Sequence, residues 1–557
     1  MINQILRLWH TTANLRPVQI YGRIRFRLAR PRPDLSPPSL LRLRQSSWQQ
    51  PAQRHPSLID QNVFRFLNES GNLVTLGWDH PSKSKLWRYN QHYFDDLNAV
   101  NASQRVGWHR ELMSSWIDSN PPGKGTGWEA YPTSLRVVNW IKWACAGNHL
   151  TNSCVASLAI QARWLTKRLE YHLLGNHLFA NAKALIFAGS FYSGEEAASW
   201  LKTGLDILEK EIPEQILTDG GQFERSTMYH ALSVEDMLDL LNILRQIILI
   251  PDEHSIRLLK PIMRTLSEIE HRLPDMLKWL NTMRHPDGEI AMFNDAAFGV
   301  APTCDELLQY AERLAIKPQM VQPDAATALR ESGYVRLSNA VACVLFDAAP
   351  IGPDYLPGHA HADTLSLELS LFGRRVFVNS GTSEYGVSEE RYRQRSTVAH
   401  NTVEINCENS SEVWSGFRVA RRAYPYMQRL ETKAGHQEAC AWHDGYQRLS
   451  PPVHIGRRIV LTSGALEIED QIHGRFKSAV SRFYCHPRVT VSLLSPSTVN
   501  LLLADGQTVK LSIHDDAQLS VEAATWHPEF GVVRGNQCIV VRLATEKLIT
   551  RLKWDQP

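Results

Sequence analysis

The stretch Thr364-Leu-Ser-Leu-Glu-Leu-Ser-Leu371 alternates strictly between polar and apolar side chains. A period of two predicts a β-strand, with the leucines on one face and Ser366, Glu368 and Ser370 on the other. Upstream, apolar residues recur at intervals of three and four, which is the period of amphipathic helices. The period changes near residue 330. The chain is therefore predicted to be helical in its first part and built from strands in its second.

Further segments extend both patterns. The helical period runs through residues 158–169, 201–212 and 237–248. Strand-like runs occupy residues 376–378, 402–405, 457–461 and 465–468, and Asp505-Gly506 between two such runs predicts a hairpin. Helices followed by many short strands indicate two segregated domains rather than a parallel α/β sheet.

Length and charge limit the classes of protein that the chain can belong to. Its 557 residues favour two large domains. Sixty Lys and Arg against 57 Asp and Glu leave a formal charge of +3, which argues against nucleic acid as a partner. Prolines between residues 31 and 38 indicate a linker. The predicted divisions are a basic segment with a Pro-rich linker (1–40), a helical domain (41–325) and a strand domain (326–557).

The opening segment is basic, and its pattern favours a solvated helix face over contact with an anionic surface. Its cluster consists of Arg23, Arg25, Arg27, Arg30 and Arg32. Arg7, His10 and Arg16 interrupt any apolar run long enough for an export signal, and no later segment has the apolar length of a spanning helix. From these residues alone we expect a soluble, cytoplasmic protein without a transmembrane segment.

Two polar clusters interrupt the helical half. In Gly175-Asn-His-Leu-Phe-Ala-Asn181, Asn176 and His177 either cap a helix or form part of a site. The second cluster, residues 219–230, carries Tyr229, whose phenol could move a proton. In the same cluster Glu224 and Arg225 either orient a substrate or pair with each other.

Two histidine clusters lie in the strand half. Gly358-His-Ala-His-Ala-Asp363 places two imidazoles on one face, as two metal ligands or as one ligand and one base. His400 lies in a second cluster, residues 396–403. Zinc needs nitrogen, sulfur or carboxylate ligands from a few rigid elements, so His361 and His400 would supply two and a third is required.

The order of these motifs resembles the heparinase II/III family of polysaccharide lyases. The resemblance rests on WRYNQHYFDDL from Trp87, GWEAYPTSLRVVNWI from Gly127, GNHLFAN, DGGQFERSTMYH, the two histidines at 359 and 361, an SGT turn at residue 380 and AHNTV from Ala399. It covers roughly residues 70–420 by motif and the rest by architecture. It implies a multidomain α and β protein, an N-terminal incomplete (α/α) toroid followed by a C-terminal antiparallel β-sandwich.

The resemblance also implies a reaction, the cleavage of a uronic-acid polymer by β-elimination. Asn176 and His177 would hold the substrate carboxylate, since the proton at C5 becomes removable only when that charge is neutralised. Tyr229 would be the general acid and, for syn elimination, also the base. His359 would be the base for anti elimination, and Tyr385 would position substrate.

By the same resemblance a structural zinc would be bound by His361, Asn379 and His400. Asn379 stands where the family has an aspartate, and an amide oxygen is a much poorer zinc ligand than a carboxylate. Two interpretations stay open. One is a weakened zinc site, and the other is a hydrogen-bonded cluster of the three side chains that fixes the strand bearing His359.

Aromatic and donor side chains suit a cleft for an anionic uronic-acid polysaccharide or oligosaccharide. Core packing is the competing interpretation for any one of them. The candidates for substrate binding are Trp87, Tyr89, Asn90, His92, Trp128, Tyr131 and Arg136, together with Glu224, Arg225 and Tyr385.

Two alternatives to a lyase remain at this point. An inverting glycoside hydrolase would use a pair of carboxylates, drawn from Glu224, Asp287, Glu289 and Asp295. A non-catalytic polysaccharide-binding or exopolysaccharide-assembly protein would keep the fold without the reaction. Location also stays open, because the resemblance favours the periplasm or cell envelope and the opening sequence favours the cytoplasm. A homodimer is left open beside a monomer.

Overall fold

The computed structural model describes residues 2–42, 47–319, 324–514 and 517–555, with Ile2 and Asn3 described by their backbone alone. Its first part is helical. The helices are α1 Ile2–Thr12, α2 Pro17–Leu28, α3 Leu73–Leu76, α4 Lys85–Tyr93, α5 Val106–Ser119, α6 Ala130–Cys145, α7 Asn152–Thr166, α8 Gly175–Phe191, α9 Glu195–Gln215, α10 Thr227–Leu249, α11 Leu259–Thr282, α12 Cys304–Arg313 and, within the second part, α13 Glu389–Arg395. Among the residues that the structure describes, no helix is both long enough and apolar enough to cross a bilayer.

Most strands follow the helices. They are β1 Leu58–Asp60, β2 Val63–Phe66, β3 Glu69–Asn72, β4 Thr327–Leu329, β5 Tyr334–Ser338, β6 Ala342–Asp347, β7 Leu367–Leu371, β8 Arg374–Phe377, β9 Val403–Ile405, β10 Val413–Trp414, β11 Arg418–Val419, β12 Pro425–Lys433, β13 His436–His443, β14 His454–Thr462, β15 Ala465–His473, β16 Ala479–Tyr484, β17 Thr490–Ser495, β18 Thr498–Leu502, β19 Thr508–His514, β20 Gln518–Trp526, β21 Arg534–Arg542 and β22 Lys547–Trp554.

The helices form an incomplete toroid around α8, which packs against α6, α7, α9 and α10. All but two residues of α8 are buried, which explains why its sequence is apolar on every side. The strands form antiparallel sheets in the orders β4-β5-β6-β7-β8, β12-β13-β14-β15-β22-β19-β18-β17 and β20-β21-β16-β9. The predicted fold class, a toroid followed by an antiparallel β-sandwich, is confirmed.

Local predictions agree with the structure in most places. Asp505-Gly506 joins β18 to β19 in the predicted hairpin, and Gly506 has the positive φ that such a turn requires. The strand of residues 364–371 begins later than predicted, at Leu367, because Leu365 has a positive φ and the Ser366 amide donates to the Asp363 carbonyl. Residues 58–72, expected within the helical half, instead form the small sheet β1-β2-β3.

Both faces of β7 are buried, which joins the two halves of the molecule. Its leucines lie in the sandwich core, while Glu368 on the other face meets the toroid. The Glu368 carboxylate lies 2.8 Å from His285 Nε2 and accepts a hydrogen bond from the Met292 amide, and Arg375 lies 3.6 Å away. Burial raises the pKa of Glu368, but His285, Arg375 and the Asn379 amide together outweigh it, so the pKa is lowered overall and the carboxylate stays ionised.

We predict that Glu368→Ala lowers the free energy of unfolding by about 3–5 kcal/mol, because it removes the carboxylate that faces buried Arg375 and His285. Urea denaturation measures the loss. Glu522→Ala is the matched control, since Glu522 pairs with Arg542 on the surface, where an ion pair contributes about 0–1 kcal/mol. Similar, small losses in both variants would contradict this account of the interface.

Candidate active site

A cavity of about 480 Å³ lies between the toroid and the sandwich. Its wall combines side chains from both halves, as expected of a groove at a domain interface. Of the predicted site residues, the toroid contributes Asn90, Tyr131, Asn176 and Tyr229 to this wall, and the sandwich contributes Tyr385.

Tyr229 and His359 meet across the interface. Tyr229 lies in the first turn of α10, where Ser226 caps the helix by accepting a hydrogen bond from the Tyr229 amide. Its ring stacks on the His359 imidazole at a centroid distance of 3.9 Å, and its hydroxyl lies 3.1 Å from the Tyr385 hydroxyl. Burial and the neighbouring Tyr385 raise the pKa of Tyr229 well above its usual value, so the phenol keeps its proton at neutral pH.

Asp295 fixes the His359 ring. One carboxylate oxygen lies 3.0 Å from His359 Nδ1, and the other lies 2.8 Å from His361 Nε2. Arg391 of α13 forms a bidentate pair with the same carboxylate. Burial raises the pKa of Asp295, but Arg391 and the hydrogen bonds with His359 and His361 together outweigh it, so the pKa falls well below its usual value. The carboxylate is therefore ionised and directs His359 Nε2 away from itself, toward Glu224 at 3.7 Å.

Asn176 and His177 occupy the first turn of α8. Asn176 lines the cavity beside Tyr229. The His177 ring contacts the Tyr131 ring at 4.5 Å, and Nδ1 lies 3.2 Å from Glu170. Burial lowers the pKa of His177, but Glu170 and Glu224 together outweigh it and raise the pKa overall, which favours the imidazolium. Sequence analysis missed Glu170, which Asn181 of the GNHLFAN motif holds through its side-chain amide.

Glu224 and Arg225, the charged neighbours in residues 219–230, do not pair with each other and point to different partners. Glu224 is buried and faces His359, and burial raises its pKa. Arg225 turns the other way and donates to the carbonyls of Glu331 and Ser332. The prediction that Arg225 contacts substrate is wrong, because its guanidinium braces the junction between toroid and sandwich.

Four further residues predicted to bind substrate lie in the toroid core, so that prediction is wrong for each of them. Their polar atoms have internal partners: Trp87 donates to the Glu69 carbonyl, His92 accepts from Trp116, Trp128 donates to the Asn120 carbonyl, and Arg136 stacks on Trp116 while donating to Gln161. None is more than 3% exposed. Tyr89 is half-buried and donates to Glu129 near the cleft.

Carboxylates considered for a hydrolase are also dispersed. Asp287 pairs with Arg375 at 2.7 Å, and the Glu289 carbonyl accepts from the same arginine. Neither side chain lines the cavity. Only Glu224 and Asp295 lie beside His359, and Asp295 is occupied by Arg391.

A buried cluster behind His359 has the composition of a metal site. His361, Asp363 and His400 each offer a ligand atom, and these atoms lie within 4.8 Å of one another. Within the described ranges, His361 Nδ1 and His400 Nε2 are buried and have no hydrogen-bond partner. Such nitrogens are suited to bind a cation. Asn379, the predicted third ligand, has its side-chain oxygen 3.4 Å from His400 Nδ1, the other ring nitrogen, whereas Asp363 is the carboxylate that lies beside both histidines.

Comparison with known proteins agrees with this architecture. The model of the heparinase II/III N-terminus matches residues 108–313, and the heparinase II/III-like C-terminal model matches residues 321–555. Together they cover most of the chain in the order of its two halves. The chain belongs to the heparinase II/III family.

Relatives with described activities match only in part. A heparin-sulfate lyase of Bacteroides stercoris is 29% identical over 266 residues, which are 44% of this chain and 38% of that protein. One of Bacteroides thetaiotaomicron is 24% identical over 344 residues, 54% of this chain and 48% of that protein. The chain thus spans less than half the length of these relatives.

Solved structures extend the likeness in fold. A heparinase III has a TM-score of 0.65 at 17% identity, over 85% of this chain and 77% of that chain. Heparan sulfate lyase HepC from Pedobacter heparinus has a TM-score of 0.57 at 18% identity, over 89% and 81%. At these identities the likeness concerns the fold.

Proposed function

We propose that this chain is a polysaccharide lyase that cleaves a uronic-acid-containing polymer by β-elimination. One observation carries the proposal: a protonated phenol from the toroid, which lines the cavity, stacks at 3.9 Å on an oriented imidazole from the sandwich. The relatives are named heparin-sulfate lyases, which supports elimination as the class of reaction. Because a proton donor and a proton acceptor already touch, the pair can serve both ends of an elimination.

In this proposal, Asn176 and His177 neutralise the substrate carboxylate. An imidazolium beside an amide donor would stabilise the charge that develops when the C5 proton leaves. Glu170 favours the protonated form of His177 by raising its pKa. Its effect on the substrate would therefore pass through His177 and not through direct contact. The substrate uronate would lie against α8.

Proton transfer falls to Tyr229 and His359. Tyr229 would protonate the glycosidic oxygen as it leaves, and its raised pKa suits a donor. His359, held at Nδ1 by Asp295, would present Nε2 as the base on an anti path. On a syn path Tyr229 would remove and deliver the proton itself, with His359 orienting its ring.

We predict that Tyr229→Phe lowers kcat by about 10²–10⁴-fold, the usual contribution of general acid–base catalysis. His359→Gln should do the same if elimination is anti and should cost much less if it is syn. The measurement is the ultraviolet absorbance of unsaturated uronate ends, on a panel of uronate polymers.

Tyr424→Phe is the matched control, because Tyr424 is exposed and bonds to Asp354 outside the cavity. Turnover of Tyr229→Phe within a factor of about two of wild type would remove its catalytic role. Saturated products would indicate a hydrolase. Binding of polymer without any product would indicate a non-catalytic, polysaccharide-binding protein.

We also propose that zinc binds to His361, Asp363 and His400. When bound, zinc would cross-link the loop that carries His359 to the turn before β9. Asp295 would hold the His361 ring and Asn379 the His400 ring as hydrogen-bonding partners of the ligands. The three side chains supply the two nitrogens and one carboxylate oxygen that zinc accepts.

Asp363→Ala should therefore weaken zinc binding by more than about 100-fold, whereas Asn379→Ala should weaken it by about 10-fold, as loss of an outer partner does. Competition with a chromophoric chelator gives both dissociation constants, and circular dichroism confirms folding. An equal loss in Asn379→Ala, or no zinc binding by wild type, would refute this ligand set.

The charges of the cavity wall support a finer proposal about substrate. Three basic side chains of the wall are already paired: Lys183 with Asp236 at 2.7 Å, Lys142 with Asp239 at 3.0 Å, and Arg54 with Glu235. A fourth, Arg65, is exposed and has no carboxylate partner among the described residues. Asp95 and Glu529 add further carboxylates to the lining. Sulfate groups are normally held by Arg and Lys that are free to bind them. We propose that the polymer is unsulfated, with uronates separated by neutral sugars.

The test compares an unsulfated uronate backbone with its chemically sulfated derivative. We predict that wild type binds and cleaves the unsulfated polymer at least about tenfold better, and that Asp236→Asn reduces this preference because it removes one of the two carboxylates that pair with Lys183. Lys202 and Asp206 form an exposed pair on α9, so Asp206→Asn is the matched control. Preference for the sulfated polymer would overturn the proposal, and the binding data report on it even if no elimination occurs.

A further inference from the structure

Helices α1 and α2 are anchored to both halves of the molecule. From α1, Thr11 bonds to the Val419 carbonyl and accepts from the Trp414 indole. From α2, Gln19 donates to the Tyr355 carbonyl, and the Phe26 ring packs on His172 of the toroid at 4.2 Å. These contacts are made by one face of each helix, so the opposite face points away from the body of the molecule.

The opposite faces carry exposed apolar side chains. On α2 they are spaced by one, four and eight residues from Ile20, which places them in one stripe along the helix. Trp9 is 62% exposed and Leu28 is 74% exposed, although both are large apolar side chains. The set consists of Ile5, Leu6, Leu8 and Trp9 on α1, and Ile20, Tyr21, Ile24 and Leu28 on α2.

Positive charge surrounds this stripe. Residues 1–33 contain seven arginines and no Asp or Glu. Arg7 and Arg16 reach carboxylates of the body, Glu412 and Glu214. In the described part of the chain, the remaining five have no carboxylate partner: Arg23, Arg25, Arg27, Arg30 and Arg32.

We propose that α1 and α2 dock this chain on the surface of an anionic lipid bilayer, without crossing it. A bilayer surface presents acyl chains and phosphates side by side along one plane, which matches an apolar stripe flanked by arginines. Trp9 and Tyr21 are the aromatic types that favour the boundary between headgroups and acyl chains. The proposal does not depend on the reaction that the cavity carries out.

The anchors of the two helices lie close along the chain to residues of the candidate site. Tyr355 and Val419, which hold α2 and α1, lie within four residues of His359 and two residues of Phe417 respectively. The Phe417 ring lies 6.3 Å from the His359 ring. The segments that hold the helices are therefore the same segments that surround His359.

Vesicle co-sedimentation of the full chain tests the proposal. Phosphatidylcholine vesicles are compared with vesicles that contain one quarter phosphatidylglycerol. We expect wild type to bind the anionic vesicles about tenfold or more better, and added salt to weaken that binding. The triple variant Arg23→Glu, Arg25→Glu, Arg27→Glu should abolish the preference, and Trp9→Ser with Ile24→Ser should weaken binding to both kinds of vesicle.

Leu493→Ser with Leu494→Ser is the matched control, because these side chains are equally exposed on β17 and lie far along the chain from the helices. It should bind as wild type does. Absence of binding to anionic vesicles, or binding that none of the helix variants reduces, would overturn the proposal. So would a helix variant that changes the oligomeric state in solution and leaves vesicle binding intact, since the stripe would then cover another protein chain.

Discussion

The arrangement of the site depends on one buried carboxylate, that of Asp295. It comes from the helical half, and all four of its bonded side chains come from the strand half: His359, His361, Thr382 and Arg391. A buried carboxylate is stable only when its charge is paired and its oxygens accept hydrogen bonds. Arg391 supplies the charge, and the histidines supply hydrogen bonds. The same contact that joins the domains thereby sets the orientation of the His359 ring.

Other buried carboxylates are paired in a similar way. Glu368 of β7 has His285 and Arg375 as its partners. Beneath the cavity, Asp239 pairs with Lys142 and Lys183 from two other helices. His177 likewise has a carboxylate partner, Glu170 at 3.2 Å, and under the proposed function it would meet the substrate carboxylate with that partner in place.

The order of helices followed by strands is predicted well from the sequence, because periodicity indicates which face of each element is buried. It predicts the grouping of Asn176, Tyr229, His359 and Tyr385 through motif order alone. It does not distinguish Trp87 or Trp128, which pack the toroid, from Tyr131, which lines the cavity, since aromatic residues suit both environments. Nor does it place Arg391 or Asp363, because their partners are brought together by loops whose conformations have no periodic signal. The position of Asp363 beside the two histidines is a tertiary result of that kind.

The stack of Tyr229 on His359 has one more consequence, which concerns motion. The two rings are carried by rigid elements of different domains, and their centroids lie only 3.9 Å apart. A hinge rotation of a few degrees would separate them and dismantle the pair without unfolding either half. Under the proposed function, a chain of sugars long enough to contact both walls would oppose that rotation. Substrate length would then be linked to the integrity of the ring pair, and short fragments would hold the two domains less firmly.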